Sequence, residues 1–310
     1  MTQVSIITPF LNAEAHLAEA IASVRSQTVP DWELLLVDDG STDGSPVIAR
    51  SAADADQRIR LIVQPPGAPH GAAPTRNAGI AAARGKFVAF LDADDIYEPH
   101  MLATTLDALE RHPHAGMVFG PTRWWHPDGG GRGWVETTDG RAGRLHRPPT
   151  LLREIILLGD GHVPCTCSVL VRRSAVEAVG GFDEQFRLYE DQTLWAKLFL
   201  KYDVFVTPVC LSRYRQHASS VSALATAAGD YDRMAAHPAR EPFLEWFGDI
   251  INSEGGGDPS LVRALRLARS PYRLDPELRD RLDRLALAAH FARRRLRRWL
   301  ARHFFRLRTG

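Results

Sequence analysis

Short apolar runs alternate with stretches of helical periodicity in the first part of the chain. Apolar runs that end at turn residues predict buried strands, and apolar residues spaced three or four apart predict amphipathic helices. Because the runs are apolar throughout and helices separate them, the pattern predicts an α/β fold with a mainly parallel sheet and helices on both faces. The strands are predicted at 4–10, 32–37, 60–64 and 87–91, and the helices at 13–27, 47–53 and 74–83.

The pattern is less regular in the middle of the chain. Residues 124–149 include a glycine-rich run and predict a long loop or hairpin, a kind of segment that often serves as a substrate lid. After it we expect a helix near 150–158, a strand at 168–172 and a helix that begins at Glu190. These elements extend the same α/β unit.

The last part of the sequence is helical, with a glycine-rich break at 254–259. We therefore expect two parts, an α/β domain at 1–222 and a helical C-terminal extension at 223–310. Within the extension, residues 282–307 place apolar side chains at three- and four-residue steps, with arginines on or beside the other face. This arrangement predicts a basic amphipathic helix.

The composition is that of a folded globular protein. The chain has 310 residues, of which 45% are hydrophobic and 24% charged, so disorder and fibrous repeats are excluded. Its three cysteines show neither a C-x-x-C motif nor paired spacing, which argues against a disulfide framework or a closed zinc site. With no apolar run of about 18 residues and no signal segment, we expect a cytoplasmic protein.

The charge is divided unevenly along the chain. Residues 259–310 carry 15 arginines against 4 acidic residues, a formal charge of +11, so the remainder carries −10 of the net +1. A basic amphipathic helix can bind an anionic membrane, which makes the inner face of the membrane a candidate contact. Packing of the helix on the acidic part of the chain, or on a second subunit, is the alternative. Nucleic-acid binding is not expected.

Acidic side chains follow two of the predicted strands, where ligands of parallel sheets bind. Asp92, Asp94 and Asp95 come directly after one strand, and we expect their carboxylates to emerge together and to hold Mg²⁺ or Mn²⁺ jointly with substrate phosphates. The alternative is a solvated loop with a helix N-cap at Asp95. Asp38 and Asp39 end another strand, where a carboxylate can accept hydrogen bonds from a base or ribose, although a plain turn also explains them. Two such strand ends favour a nucleotide-sugar site.

Five further polar or thiol positions are candidates for chemistry. Glu190 and Asp191 open a predicted helix, where a carboxylate could act as a general base or merely cap the helix. His217 could ligate a metal through an imidazole nitrogen, although a surface histidine is the simpler interpretation. Cys165 and Cys167 are expected to be core residues, because two thiols are too few for a closed metal site.

Seven segments of the chain occur in the order and at the spacing typical of glycosyltransferase family 2, whose members have the GT-A fold. The resemblance covers roughly residues 3–222. The segments are VSIITPFLN at 4–12, SQT at 26–28, VDDGSTDGS at 37–45, RNAG at 76–79, FLDADD at 90–95, GFD at 181–183 and ED at 190–191.

The resemblance implies a set of nucleotide-binding residues. The segment Thr8, Pro9 and Phe10 matches the lining of the nucleobase pocket, with phenylalanine where the family often has tyrosine. Asp39 matches the acid that hydrogen-bonds uracil, and Arg76 lies in the motif that flanks the nucleotide.

It also implies the residues of metal binding and catalysis. Asp92 and Asp94 match the family's D-x-D motif, in which the first acid approaches the ribose or sugar and the second ligates Mg²⁺ or Mn²⁺. Asp191 matches the catalytic base and Glu190 its neighbour on the acceptor side. His217 resembles a histidine near the metal and diphosphate.

The function that this resemblance implies is an inverting transfer of one sugar from a nucleotide diphosphate, most simply UDP, to an acceptor hydroxyl. The acceptor would be a saccharide or a lipid-linked molecule, as in polysaccharide or glycoconjugate synthesis. The Gln-x-x-Arg-Trp motif of processive members does not follow Asp191, which favours a non-processive enzyme. The alternatives are a degenerate GT-A scaffold and, less well supported, a sugar-phosphate nucleotidyltransferase.

Overall fold

A computed structural model describes residues 2–65, 67–68, 70–127, 133–232, 237–253, 258–270, 272 and 292. The strands are β1 Val4–Phe10, β2 Trp32–Asp38, β3 Ile59–Val63, β4 Phe87–Phe90, β5 Ile96–Tyr97, β6 Ala115–Phe119, β7 Thr122–Trp125, β8 Trp134–Val135, β9 Arg144–His146, β10 Val169–Arg172, β11 Asp203–Val206 and β12 Ser212–Arg215. The α-helices are α1 Leu17–Arg25, α2 Ser45–Ala55, α3 Ala72–Ala82, α4 Met101–Arg111, α5 Arg173–Ala178, α6 Glu190–Lys201, α7 Val221–Ala228, α8 Arg240–Ser253 and α9 Pro259–Arg269. A π-helix at Leu152–Leu157 and a 3₁₀ turn at Thr166–Ser168 complete the described elements.

The main sheet has eight described strands in the order β3-β2-β1-β4-β10-β6-β11-β9. The first four are mutually parallel and β6 pairs in parallel with β11, whereas β10 and β9 run antiparallel to their neighbours. The sheet is therefore mixed, with its parallel part built by the alternating strands and helices near the N-terminus. A second sheet has the order β5-β12-β7-β8.

The predicted α/β class and the strands and helices of the first half are confirmed, with ends that differ by a few residues. The described parts of the segment 124–149 contain strands and are not one long loop. Its start pairs with β8 as an antiparallel hairpin, and β9 joins the edge of the main sheet. Both pairings are made by short, weakly patterned runs, which carry little period-2 signal.

The core lies on the two faces of the main sheet as two apolar clusters. Alternate residues of one strand contribute to opposite clusters, as Ile6 and Ile7 of β1 show. Helices α8 and α9, which belong to the predicted extension 223–310, pack Phe243 and Leu261 into the same cluster as Trp195. The boundary at residue 222 stays a prediction.

The predicted basic helix at 282–307 lies outside the described residues, apart from position 292. Within the part of the chain that the structure describes, no helix has the length and apolar character needed to cross a membrane. The predicted contact with the inner face of a membrane therefore stays a prediction.

Strand register brings the two acidic strand ends together. Phe10 at the end of β1 lies beside Asp38 at the end of β2, and Ile7 lies beside Phe90 at the end of β4. Since the three strands are parallel, the residues that follow them meet at one edge of the sheet.

Candidate active site

A cleft of about 1820 Å³ opens at this edge of the sheet. Its walls come from the ends of β1, β2 and β4, from the N-terminus of α6, and from β7, β12 and α7. The predicted site residues that line the cleft are Pro9, Phe10, Asp39, Arg76, Asp92, Asp94, Glu190, Asp191 and His217. Thr8 does not line the cleft, because its side chain is buried in the sheet. Its Oγ1 makes no hydrogen bond among the described residues.

At one end of the cleft, Asp39 lies beside Phe10. Its side chain is 7% exposed, and Oδ2 accepts a hydrogen bond from the backbone N–H of Gly71 at 2.9 Å. Gly71 has a φ of 119°, a conformation that side-chain-bearing residues rarely adopt. His70 Nδ1 lies 3.1 Å from the other carboxylate oxygen. By contrast, Asp38 Oδ1 accepts a hydrogen bond from the backbone N–H of Ser41 and caps the turn. This agrees with the interpretation of Asp38 as a plain turn residue.

In the middle of the cleft, Arg76 joins two acidic groups that are far apart in sequence. Its Nη2 lies 2.6 Å from Asp92 Oδ1 and its Nη1 lies 3.2 Å from Glu190 Oε1, while its own side chain is 4% exposed. Burial alone would lower the pKa of Arg76, but the two carboxylates raise it above its ordinary value. Thr166 Oγ1 donates to the second oxygen of Asp92 at 2.9 Å. Asp92 is thus held on both oxygens.

Asp191 lies next to this chain of ion pairs. Burial, followed by the charge of Glu190, raises the pKa of Asp191 to about 7. Burial also raises the pKa of Glu190, against the opposing effect of Arg76. A carboxylate with a pKa near neutrality can both take up and release a proton at physiological pH.

The start of α6 is fixed by an unusual backbone. Tyr189, immediately before the helix, has a φ of 70°, which is costly for a residue with a side chain. Its hydroxyl lies 2.9 Å from His237 Nε2, and its ring stacks on Phe243 of α8. Contacts from the C-terminal part of the chain therefore hold the turn that presents Glu190 and Asp191.

Asp94 meets His217 across the opening of the cleft. His217 Nε2 lies 2.8 Å from Asp94 Oδ2, and its Nδ1 lies 2.9 Å from Ser219 Oγ. Both side chains are partly exposed to the cleft, 29% for Asp94 and 20% for His217. One carboxylate and one imidazole suit Mn²⁺ or Mg²⁺ if phosphate oxygens complete the coordination.

The expectation that all three carboxylates of the 92–95 segment emerge together was wrong for Asp95. It is fully buried, and its Oδ1 accepts the backbone N–H of Arg215 at 2.9 Å. It does not cap a helix either, because the strand β5 follows it. Burial, and then the charges of Asp94 and Asp92, raise the pKa of Asp95 well above its usual range. This side chain ties the loop to β12 instead of facing the cleft.

The far wall of the cleft carries aromatic and acidic groups that sequence reasoning missed. Trp124 and Trp134 stack with ring centroids 5.4 Å apart and planes 9° apart, and Trp134 remains 40% exposed. The Nε1 of Trp124 donates to buried Glu136 at 2.9 Å, and Tyr214 packs edge-on against Trp124. The recurrence of tryptophan in the segment 124–134 was the available signal.

Sequence comparison connects the chain to one family. The family model described as "Glycosyl transferase family 2" matches residues 5–180. A relative described as an uncharacterized glycosyltransferase from Nostoc sp. is 29% identical over 283 residues, which cover 87% of this chain and 82% of the relative. The O-antigen biosynthesis protein RfbC of Myxococcus xanthus is 35% identical over 190 residues, 59% of this chain but 13% of that longer protein.

Solved structures resemble the fold. S. aureus TarS, in complex with UDP-GlcNAc, has a TM-score of 0.64 at 16% identity, with 92% of this chain and 78% of the other covered. The mannosyltransferase PcManGT from Pyrobaculum calidifontis, in complex with GDP-Man and Mn²⁺, has a TM-score of 0.53 at 18% identity, with 94% and 79% covered. At these identities the likeness is one of fold.

Proposed function

The chain belongs to glycosyltransferase family 2, and on that premise we propose that it moves one sugar from a UDP-sugar to an acceptor hydroxyl with inversion at the anomeric carbon. The observation that carries the proposal is the chain of contacts from Asp92 through Arg76 to Glu190, which joins the two acidic sites in one cleft. Donor-side and acceptor-side groups thus lie close enough for a single displacement.

The nucleotide would lie at the end of the cleft formed by Phe10 and Asp39. The Phe10 ring offers a stacking surface, and the buried carboxylate of Asp39 can accept the N–H of uracil. Uracil presents one N–H between two carbonyl groups, which suits an acceptor flanked by the N–H of Gly71. The UDP-GlcNAc complex of TarS is consistent with this choice, whereas the GDP-Man complex of PcManGT marks the competing donor class.

Asp94 and His217 would hold Mn²⁺ or Mg²⁺ together with oxygens of the donor diphosphate. When bound, such a cation supplies Lewis-acid stabilisation of the charge on the departing diphosphate. Asp92, which already accepts hydrogen bonds from Arg76 and Thr166, would accept a further hydrogen bond from a hydroxyl of the ribose or donor sugar. Thr8 is too deeply buried to contact the base directly, and its role would be to pack within the sheet beneath Pro9 and Phe10.

Asp191 would be the general base. It takes the proton of the acceptor hydroxyl while the acceptor oxygen forms a bond to the anomeric carbon and the bond from that carbon to the diphosphate oxygen breaks. Attack from the face opposite the diphosphate inverts the configuration. Glu190, the adjacent residue, would tune the base, because its charge helps to raise the pKa of Asp191.

The acceptor would be a saccharide, free or linked to a lipid. Trp124 lines the cleft, and Trp134, which stacks on it and is exposed, would extend that wall with a flat apolar surface. The C–H face of a pyranose packs well on such a surface, while polar groups of the wall can meet its hydroxyls. An acceptor of this class fits polysaccharide or glycoconjugate synthesis.

Nucleotide titration tests the donor side. We expect calorimetry to show UDP binding with Mn²⁺ that weakens with EDTA and that exceeds the binding of GDP and dTDP. Asp39→Asn should weaken UDP binding by about tenfold or more, because it removes a charged hydrogen-bond acceptor. Asp38→Asn is the matched control, since Asp38 caps a turn. UDP binding by folded Asp39→Asn that equals wild-type binding would contradict the assignment of Asp39.

The pH profile tests the base. Because Asp191 must be unprotonated to accept a proton, kcat/KM should rise with pH and level off above about 7, following its pKa. Glu190→Gln should move this acidic limb to lower pH, since the substitution removes a negative charge that raises the pKa and leaves Arg76 to lower it. An acidic limb that stays in place or moves upward would contradict the proposed coupling.

The acceptor surface can be tested by removing its exposed ring. Trp134→Ala should raise the KM for oligosaccharide acceptors by about tenfold, as expected for the loss of an aromatic contact of roughly 1.5 kcal/mol. The KM for the donor should not change. Trp134→Phe, which keeps an aromatic face, is the control and should retain most of the acceptor affinity. If only the KM for the donor rose, Trp134 would contact the donor and not the acceptor.

A further inference from the structure

A buried cluster of two thiols and one carboxyl lies behind the 92–95 segment, outside the site proposed for transfer. We call it the thiol–carboxyl cluster, and it consists of Asp95, Cys165 and Cys167. The two sulfur atoms are 3.3 Å apart, and one carboxylate oxygen and both sulfurs all lie within 4.8 Å of one another. Three potential ligand atoms thus converge on one point.

One ligand atom of this cluster has no other role. Asp95 Oδ1 accepts a hydrogen bond from the backbone N–H of Arg215, but Oδ2 is buried and no described nitrogen or oxygen donor reaches it; the thiol of Cys167 is the side-chain donor near this carboxyl. Buried polar atoms are nearly always paired, so an orphaned carboxylate oxygen beside two thiols requires an explanation. A bound cation would provide one.

The cluster also has a route for an ion to enter. Cys167 is fully buried, but Cys165 lines the cleft. The cluster therefore adjoins the cleft at Cys165, which gives an ion and a fourth, water ligand a short path from solvent. Asp95 is thus the third ligand that the two thiols lacked when only the sequence was considered.

We propose that the thiol–carboxyl cluster binds a thiophilic divalent cation such as Zn²⁺, through the two sulfurs, Asp95 Oδ2 and one water. Zinc prefers four ligands in a tetrahedron, and its bond to sulfur of about 2.3 Å places two sulfurs about 3.8 Å apart. The observed separation of 3.3 Å needs only a small adjustment. Sulfur ligands also distinguish this site from that of Asp94 and His217, which offers oxygen and nitrogen to harder ions.

The position of the cluster connects it to the donor side of the cleft. Thr166, between the two cysteines, donates its hydroxyl to Asp92 Oδ2, and Asp95 follows Asp92 by three residues. An ion bound to the cluster would anchor both segments that hold Asp92. We therefore expect bound Zn²⁺ to raise the thermal unfolding temperature and to position Asp92, without taking part in sugar transfer.

Cadmium titration of the reduced full-length chain tests the site, whatever the outcome for sugar transfer. We expect the near-ultraviolet charge-transfer absorption of cadmium bound to thiolate, with one ion per chain, and competition by Zn²⁺. Cys165→Ser and Cys167→Ser should abolish this absorption, and Asp95→Asn should weaken cadmium binding by at least about tenfold. Cys210→Ser is the matched control and should bind normally, since Cys210 is not part of the cluster.

Two results would overturn the proposal: no thiolate absorption in the reduced protein, or absorption that persists in Cys165→Ser and Cys167→Ser. Because Cys167 is fully buried, its variant can fail to fold. Asp95→Asn keeps the Oδ1 acceptor for Arg215 and Cys165 is only partly buried, so circular dichroism on these two variants keeps the test decisive.

Discussion

Asp191→Asn is expected to lower kcat by about 10²- to 10⁴-fold, the range that a positioned general base contributes. Asparagine has nearly the same shape, and its Oδ1 can still accept the backbone N–H of Gln192, which Asp191 accepts at 2.7 Å. The variant loses only the ability to take up the acceptor proton. Steady-state turnover at a pH above 7, where wild-type Asp191 is ionised, measures the full effect.

Two controls separate loss of the base from general damage. UDP binding by Asp191→Asn should match that of the wild type, since the nucleotide would lie at Phe10 and Asp39. Glu184→Gln changes another carboxylate at the wall of the cleft, one that accepts a hydrogen bond from Asn77, and should leave kcat close to the wild-type value. If Asp191→Asn kept near-normal turnover, Asp191 would not be the base.

Strand ends were the part of the site that the sequence could predict. Asp39, Asp92 and Asp94 follow buried apolar runs, and in a parallel sheet such positions must meet at one edge. Asp191 could be placed because its helix begins at the preceding residue, as the apolar spacing in α6 indicated. In each case a local pattern and one topological rule are sufficient.

Other parts of the site depend on contacts between distant segments, which no local pattern encodes. Thr166 contacts Asp92 across 74 positions of sequence, and Arg215 contacts Asp95 across 120. The three acids from 92 to 95 are similar as a sequence, yet β12 buries one of them and leaves the other two in the cleft. Burial of a charge is decided by what packs over it, and that information lies in the tertiary fold.

The second sheet was missed for a related reason. Its strands β5 and β8 have two residues each, too few for an alternating pattern to stand out. They are stabilised by pairing, β5 with β12 and β8 with β7. Because this sheet carries the aromatic wall, the acceptor side of the cleft was harder to anticipate than the donor side.

Arg76→Met is expected to lower the free energy of unfolding by about 3–5 kcal/mol, the usual effect of removing one partner from a buried ion pair. Arg76 is 4% exposed and lies against both Asp92 and Glu190, so the substitution leaves two acidic groups without their cation. Methionine fills much of the same volume, which keeps the loss of packing small. Urea denaturation monitored by circular dichroism at neutral pH measures the change.

The pH dependence of this loss identifies its cause. Without Arg76, the pKa of Glu190 in the folded state should rise further above that in the unfolded chain, because the guanidinium would no longer oppose burial and the charge of Asp92. A raised folded-state pKa means that the folded protein binds protons more tightly, so the deficit should shrink as the pH falls toward 5 and grow as it rises. Arg76→Lys keeps the charge but cannot bridge both acids, and should lose less stability than Arg76→Met. If the deficit of Arg76→Met did not change with pH, it would arise from packing, and the ionic link between the two halves of the cleft would contribute little to the fold.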